Sequence, residues 1–226
     1  MKSFYKLLLF ATVCAGLLAA GNQLLEARAG GAKTGRDQLL AEIPQTPLRD
    51  VLLVNASNPL PEDYRPEDLV KLYSEKRSFQ LASGDIGLAR EAFEAANWMF
   101  KQAERDGVDG FILSSGYRTE DEQQALYEAD TDGTAAKPGA SEHQTGLAFD
   151  VTAYHDGGGF EDTAQFRWLN EHCWDYGFIL RYPESKEDVT GFPYEPWHYR
   201  YVGKEIAEAI RENGWTLEEY CERNGG

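Results

Sequence analysis

Residues 141–151 read SEHQTGLAFDV, and the second half of this stretch alternates between the two sides of an extended chain. Leu147, Phe149 and Val151 fall on one side, because successive side chains of a β-strand point to opposite faces. Asp150 falls on the other side. The stretch therefore predicts a β-strand that buries an apolar face against the core and carries a carboxylate on its opposite face.

The residues that precede this strand predict a helix, a strand and a second helix, in that order. Apolar residues recur at helical spacing over 88–103, and Gly107 ends the pattern. The sequence FILSS at 111–115 predicts a short strand. Thr119 and Glu122 then form a capping box, in which each side chain accepts a hydrogen bond from the backbone of the other residue, and this box begins the next helix.

The residues that follow the strand continue the mixture of helices and strands. Apolar residues at helical spacing over 166–176, ended by Gly177, predict another helix, and residues 206–210 predict a last amphipathic one. Further short strands are predicted at 51–54, 178–181 and 198–202. Since no internal repeat is found, the pattern indicates an α+β fold with one core.

The N-terminal segment predicts export from the cytoplasm. A short basic stretch precedes an uncharged apolar run at 7–20, which is the pattern of a secretory signal. The run is shorter than the roughly 20 residues that span a bilayer, so cleavage is favoured over a permanent anchor. We expect a secretion signal over 1–29, with a cut after Ala20 as the alternative, and a flexible linker over 30–48.

The charge balance argues against a nucleic-acid partner. The chain has 22 Lys and Arg against 38 Asp and Glu, which gives a formal net charge of -16. Such a charge repels polyanions.

Beyond the export signal the chain has two cysteines, Cys173 and Cys221, in a compartment where disulfides persist, and the sequence leaves a bridge and two free thiols equally open.

Two of the four histidines, His143 and His198, lie in segments crowded with other polar residues. His143 enters the strand that carries Asp150, so an imidazole and a carboxylate can converge from one segment. His198 begins a second strand, and Pro196 keeps Glu195 out of helical geometry so that its carboxylate can approach the same site. A divalent cation removes the cost of burying a carboxylate such as Asp150. Three protein ligands with an open position are typical of catalytic zinc.

Five longer motifs carry a resemblance to a known family. They are VNASNPLPEDY (54–64), SGYRT (115–119), SEHQTGLAFD (141–150), YGFILRYP (176–183) and YEPWHYRYVG (194–203). Together they resemble the D-alanyl-D-alanine carboxypeptidases of the VanY type, zinc peptidases that trim the stem peptides of bacterial peptidoglycan. The resemblance covers about residues 51–212. It implies one domain over 49–226, with a small, mostly antiparallel sheet, helices packed on it and a zinc site at the sheet.

The resemblance also implies roles for individual residues. The implied zinc ligands are His143, Asp150 and His198. The implied catalytic base is Glu195. The implied substrate contacts are Arg118, Gln123 and Ser141. An independent argument supports Arg118, because it precedes a helix N-terminus, where anions are favoured, and a planar guanidinium suits the free carboxylate that an exopeptidase must recognise.

The implied function is removal of the C-terminal D-alanine from peptidoglycan stem peptides by a Zn²⁺-dependent carboxypeptidase. We expect a bacterial protein that is secreted or associated with the cell envelope, monomeric, and in contact with the membrane only through an uncleaved signal. An L,D-carboxypeptidase or a peptidoglycan endopeptidase with the same zinc site is the alternative, since such enzymes differ by pocket contacts worth only about 1–3 kcal/mol per small group. A non-catalytic wall-binding module is disfavoured, because it would not need both a metal set and a base.

Overall fold

The computed structural model of the protein describes residues 51–154 and 157–225. The predicted export signal and linker, at 1–29 and 30–48, lie outside the described residues. Within the described ranges, no helix has both the length and the apolar character needed to cross a membrane.

Three short strands begin the described chain, helices and strands then alternate, and two helices follow the last strand. The strands are β1 (Leu69–Lys71), β2 (Gln80–Leu81), β3 (Gly87–Ala89), β4 (Phe111–Ser115), β5 (Ala148–Ala153), β6 (Phe178–Leu180) and β7 (His198–Tyr201). The α-helices are α1 (Arg90–Arg105), α2 (Glu120–Ala129), α3 (Ala164–His172), α4 (Glu187–Thr190), α5 (Lys204–Asn213) and α6 (Leu217–Asn224). This mixture confirms the predicted α+β class.

The main sheet has five strands in the order β2-β4-β5-β7-β6. Only the β2–β4 pair is parallel, and the other three pairs are antiparallel, so the predicted mostly antiparallel sheet is confirmed. The strand predicted from GLAFDV is β5, which lies in the middle of the sheet. Strands β1 and β3 form a separate antiparallel pair.

The core lies between α1 and the main sheet. The apolar face predicted for the first helix is buried, and Phe100 on α1 packs against Phe111 on β4 and Phe149 on β5, with ring centroids 4.7 and 5.8 Å apart. Leu88, which begins the helical pattern in the sequence, belongs instead to β3. The prediction of the helix is confirmed, with its first turn shifted by two residues.

The sequence between 166 and 177 forms the predicted helix in two parts. Helix α3 ends at His172, a 3-10 turn continues from Cys173 to Tyr176, and Gly177 ends it with a φ of 79°. The left-handed conformation favours glycine at this position. Cys173 and Cys221 are both free and buried. Of the two alternatives left open by the sequence, a disulfide bridge or two free thiols, the structure therefore has two free thiols.

One predicted strand is wrong. Residues 51–54 form no strand, and the nearest pairing is an isolated bridge between Asn55 and Asn58. The apolar run is only partly buried, and Val51 and Leu53 pack against the core cluster around α5 and α6. The backbone of the run also binds a side chain, because the carbonyl of Leu52 accepts a hydrogen bond from Arg200 Nη2 at 2.6 Å.

Candidate metal centre

The register of two neighbouring strands brings together an imidazole and a carboxylate. Asp150 on β5 pairs directly with His198 on β7, and Asp150 Oδ1 lies 3.0 Å from His198 Nδ1. Asp150 Oδ2 lies 3.4 Å from His143 Nε2. One ligand atom from each of the three residues lies within 4.8 Å of the other two, which makes a group that can hold a metal ion.

His143 reaches this group from a short turn whose neighbours orient its ring. The 3-10 turn Glu142–Thr145 ends at Gly146, which has a φ of 70° and returns the chain into β5. His143 Nδ1 lies 2.7 Å from the carbonyl oxygen of Gly116. Since a carbonyl only accepts, Nδ1 carries a proton, and Nε2 is the ring nitrogen that faces the group.

Gly116 is required where its carbonyl meets His143. A Cβ atom on Gly116 would stand 2.5 Å from the carbonyl oxygen of Gly87 and 2.8 Å from Ile86 Cγ2. The backbones meet this closely because Tyr117 N–H donates to the same Gly87 oxygen at 2.7 Å. The close approach explains the glycine in the SGYRT motif.

Glu195 lies beside the group without belonging to it. Its Oε2 atom is 3.8 Å from His198 Nδ1, and the backbone N–H of His198 donates to the Glu195 carbonyl at 3.1 Å. Burial raises the pKa of Glu195, the nearby His198 opposes that shift, and Asp150 adds to it. A carboxyl group with a raised pKa is suited to accept and return a proton near neutral pH.

The charges of the group are strongly coupled. Burial would raise the pKa of Asp150, but His143 and His198 hold it well below its usual range. Burial would lower the pKa of His198, but the neighbouring carboxylates of Asp150 and Glu142 raise it to about 9. Two imidazoles and one carboxylate form a donor set that fits a divalent cation such as zinc.

The His143–Asp150–His198 group lies in a cleft of about 300 Å³ that also contains the predicted substrate contacts. Arg118 Nη1 donates to Gln123 Oε1 at 2.7 Å, and Gln123 Nε2 donates to the carbonyl of Ala136 at 2.6 Å. Ser141 is buried and lines the same cleft. The structure therefore brings all seven predicted site residues to one place.

Helix α2 holds Gln123 at its first turn. Thr119 Oγ1 accepts from the backbone N–H of Glu122 at 3.3 Å, and the Glu122 carboxylate accepts from the backbone N–H of Thr119 at 2.8 Å. This is the predicted capping box, and it is confirmed.

Burial lowers the pKa of Arg118, and the neighbouring Asp150 opposes that shift.

Several residues of the site were not found by sequence reasoning. Tyr182, Phe192 and Trp197 form aromatic walls of the cleft. Glu142 is fully buried behind His198, where it pairs with Arg181 and Arg200. The sequence carried a signal for the two arginines, because both lie in otherwise apolar or aromatic strand segments, where an unpaired charge is costly.

A family model described as VanY, D-alanyl-D-alanine carboxypeptidase, matches residues 85–204. All seven predicted site residues fall within this match, and the chain belongs to the VanY family. The resemblance seen in the sequence motifs is confirmed.

Individual relatives support the same assignment. The bifunctional D-Ala-D-Ala dipeptidase and D-Ala-D-Ala carboxypeptidase VanXYC of Enterococcus gallinarum is 38% identical over 183 residues, which cover 74% of this chain and 91% of that protein. The LdcB LD-carboxypeptidase has a similar structure, with a TM-score of 0.67 and 38% identity, over 75% of this chain and 84% of that one. A mutant of the vancomycin resistance D,D-pentapeptidase VanY, in complex with Zn(II), matches with a TM-score of 0.60 and 38% identity over 74% of this chain and 96% of that one.

Proposed function

We propose that the protein is a zinc-dependent D-alanyl-D-alanine carboxypeptidase that removes the C-terminal D-alanine from peptidoglycan stem peptides. One observation carries the proposal: the cleft that contains His143, Asp150 and His198 also contains the carboxyl group of Glu195, whose pKa is raised, and the half-buried guanidinium of Arg118. A metal, a base and a cation that recognises a carboxylate are the three components that an exopeptidase of this kind requires.

His143, Asp150 and His198 would hold the zinc. His143 would use Nε2, because its Nδ1 atom is already bonded to the Gly116 carbonyl. His198 would use Nδ1, because this atom faces Asp150 whereas Nε2 points to Glu142. When bound, zinc supplies a Lewis acid that polarises a substrate carbonyl and lowers the pKa of a water molecule to about 7.

Glu195 is proposed as the general base. It lies on the cleft wall with Oε2 3.8 Å from His198 Nδ1, and burial raises its pKa. Glu195 would take the proton of the attacking water and then give it to the amine of the departing D-alanine. Positioned proton transfer of this kind contributes about 10²–10⁴-fold to rates.

Arg118 is proposed to bind the terminal carboxylate of the substrate. Its guanidinium is held by Gln123 Oε1 at 2.7 Å and by Ser115 Oγ at 3.2 Å, so the ion is oriented before substrate arrives. In a chain of net charge -16, a local cation is needed to attract an anionic group. Gln123 and Ser141 would add neutral hydrogen bonds in the same cleft.

Action outside the cytoplasm is part of the proposal, because the substrate class is a component of the cell wall. The export signal predicted over 1–29 would deliver the protein there. We propose a secreted or envelope-associated enzyme that acts as a monomer.

An L,D-carboxypeptidase is the second candidate, and the similarity to the LdcB LD-carboxypeptidase is the observation that favours it. The two reactions share the metal group and the base and differ in how the cleft fits the stereocentre before the scissile bond. The proposed function is tested by incubating the purified protein with pentapeptide and tetrapeptide stems and determining the products by mass. Loss of one alanine from the pentapeptide supports the proposal. Cleavage of the tetrapeptide alone contradicts it in favour of the second candidate.

A further inference from the structure

Glu142 is a carboxylate without exposed surface whose two oxygen atoms have different surroundings. Its side chain is 0% exposed. Oε1 accepts hydrogen bonds from Arg181 Nε and from Arg200 Nη1, both at 2.7 Å. The second oxygen, Oε2, makes no hydrogen bond among the described residues. A buried polar atom without a partner costs free energy, so this atom calls for an explanation.

The nearest polar partner of that oxygen is the imidazole of His198. Glu142 Oε2 lies 3.5 Å from His198 Nε2, at the outer limit of a hydrogen bond. His198 Nε2 is also buried, and within the described ranges it too has no other hydrogen-bond partner. These two orphaned atoms therefore face each other.

The remaining charges around Glu142 are already satisfied. Arg181 also binds Glu218, with Nη1 2.9 Å from Oε2. Arg200 also donates from Nε to the Tyr201 carbonyl at 3.0 Å and from Nη2 to the Leu52 carbonyl at 2.6 Å. The two arginines fix the Glu142 carboxylate from one side, and Oε2 is left for His198.

We propose that Glu142 is a positioning residue, which accepts the Nε2–H of His198 and so leaves the lone pair on Nδ1 for the metal. The proposal rests on the metal role proposed for His198. It gives both histidines of the group the same arrangement, since His143 donates its other N–H to the Gly116 carbonyl. Acceptors behind metal-binding histidines typically change metal affinity by about 10–100-fold.

The variant Glu142→Gln tests this role because it keeps the shape of the side chain. The two arginine donors require an oxygen on their side, so the new amide NH₂ would face His198 Nε2. An amide NH₂ donates and cannot accept Nε2–H, so it favours the tautomer with the proton on Nδ1. That tautomer has no lone pair for the metal at Nδ1. We expect the zinc affinity to fall about 10–100-fold.

Glu218→Gln is the matched control. It removes one charge from the same network at Arg181, but the hydrogen bonds of the Glu218 side chain in the described part of the chain go to Arg181 and Asn55 and not to His198. Zinc affinity is measured for the native protein and both variants by competition with a chromogenic chelator. A large loss for Glu142→Gln with an affinity within about twofold for Glu218→Gln is expected. Equal losses in both variants, or no loss in either, would overturn the positioning role.

A second measurement does not depend on whether the variant folds. Two-dimensional ¹H–¹⁵N NMR of the zinc-loaded native protein distinguishes the tautomers of His198. The proton is expected on Nε2, and a proton on Nδ1 would overturn the proposal. Native protein that binds no zinc would overturn the proposed function together with this inference. Native protein that binds zinc, with the same zinc affinity in the Glu142→Gln variant, would contradict this inference alone.

Discussion

Asp150 lies directly opposite His198 in the antiparallel β5–β7 pair, with Asp150 Oδ1 3.0 Å from His198 Nδ1. The hydrogen-bond register of the two strands sets this contact, and a slip by one residue would turn each side chain to the opposite face of the sheet. Glu195 is placed by the turn that leads into β7. The proposed catalytic group is therefore built on the sheet.

Replacement of Glu195 by glutamine should abolish turnover while preserving the metal site. The amide keeps the size of the side chain but cannot accept the proton of the attacking water. We expect kcat to fall by about 10²–10⁴-fold, with zinc content unchanged. Steady-state kinetics on a pentapeptide, with elemental analysis of the same samples, measures both.

The control for this variant is Glu187→Gln, which changes an exposed carboxylate on α4. It should retain the native rate. Near-native turnover in Glu195→Gln would assign the base to another residue.

Arg118→Lys should impair the enzyme even though it keeps the positive charge. The ammonium group cannot form the two parallel hydrogen bonds that a guanidinium makes with a carboxylate. The loss in kcat/KM should correspond to about 1.5–3 kcal/mol. Arg90→Lys is the control, because the Arg90 side chain forms a solvent-exposed pair with Asp68 and does not line the cleft. This variant should retain the native kcat/KM.

Amidation of the substrate C-terminus should reproduce much of the loss caused by Arg118→Lys. Since both changes remove one contact, their effects should be less than additive in a double-mutant cycle. The cycle requires kcat/KM for the acid and the amide with both proteins. Equal rates on the acid and the amide with native protein would contradict the role of Arg118 and favour an endopeptidase.

Gly116→Ala should destabilise the fold and weaken zinc binding. Its Cβ atom would stand 2.5 Å from the Gly87 carbonyl, so the backbone that holds His143 must shift. We expect a loss of about 1–3 kcal/mol in the free energy of unfolding. Gly84→Ala is the control, because its Cβ would lie 3.8 Å from Tyr73, an ordinary contact. Denaturant titration measures both variants, and equal stabilities would refute the close approach.

Cys173 and Cys221 should behave as two free, protected thiols. Burial raises the pKa of both groups and keeps them from reagent. In a variant with Cys14 replaced by serine, titration with Ellman's reagent should find no reactive thiol in native protein and two after denaturation without reductant. Failure to detect thiols in the denatured protein would show that the two cysteines are bridged.

The sequence predicted the elements whose patterns are local. Strand β5 follows from strict alternation around Asp150, and helix α2 follows from the capping box of Thr119 and Glu122. The convergence of His143, Asp150 and His198 was also within reach, because each lies at or near the beginning of a strand or within it. The features that could not be predicted depend on contacts between residues that are far apart in the sequence.

Residues 51–54 show why local pattern is insufficient. Four apolar residues in a row are typical of a buried strand, yet no strand of the described ranges pairs with this run, and the carbonyl of Leu52 accepts a hydrogen bond from Arg200 instead. Glu142 is the converse case. Beside His143 it reads as an ordinary surface carboxylate, and only the folded chain brings Arg181 and Arg200 to it.

Removal and restoration of the metal tests the central claim most directly. The purified protein should contain one zinc per chain and should release one D-alanine from a stem pentapeptide. Chelation should abolish this release, and added zinc should restore it, because the proposed chemistry requires a cation held by His143, Asp150 and His198. Protein that contains no zinc and hydrolyses the pentapeptide equally well with and without chelator would contradict the account.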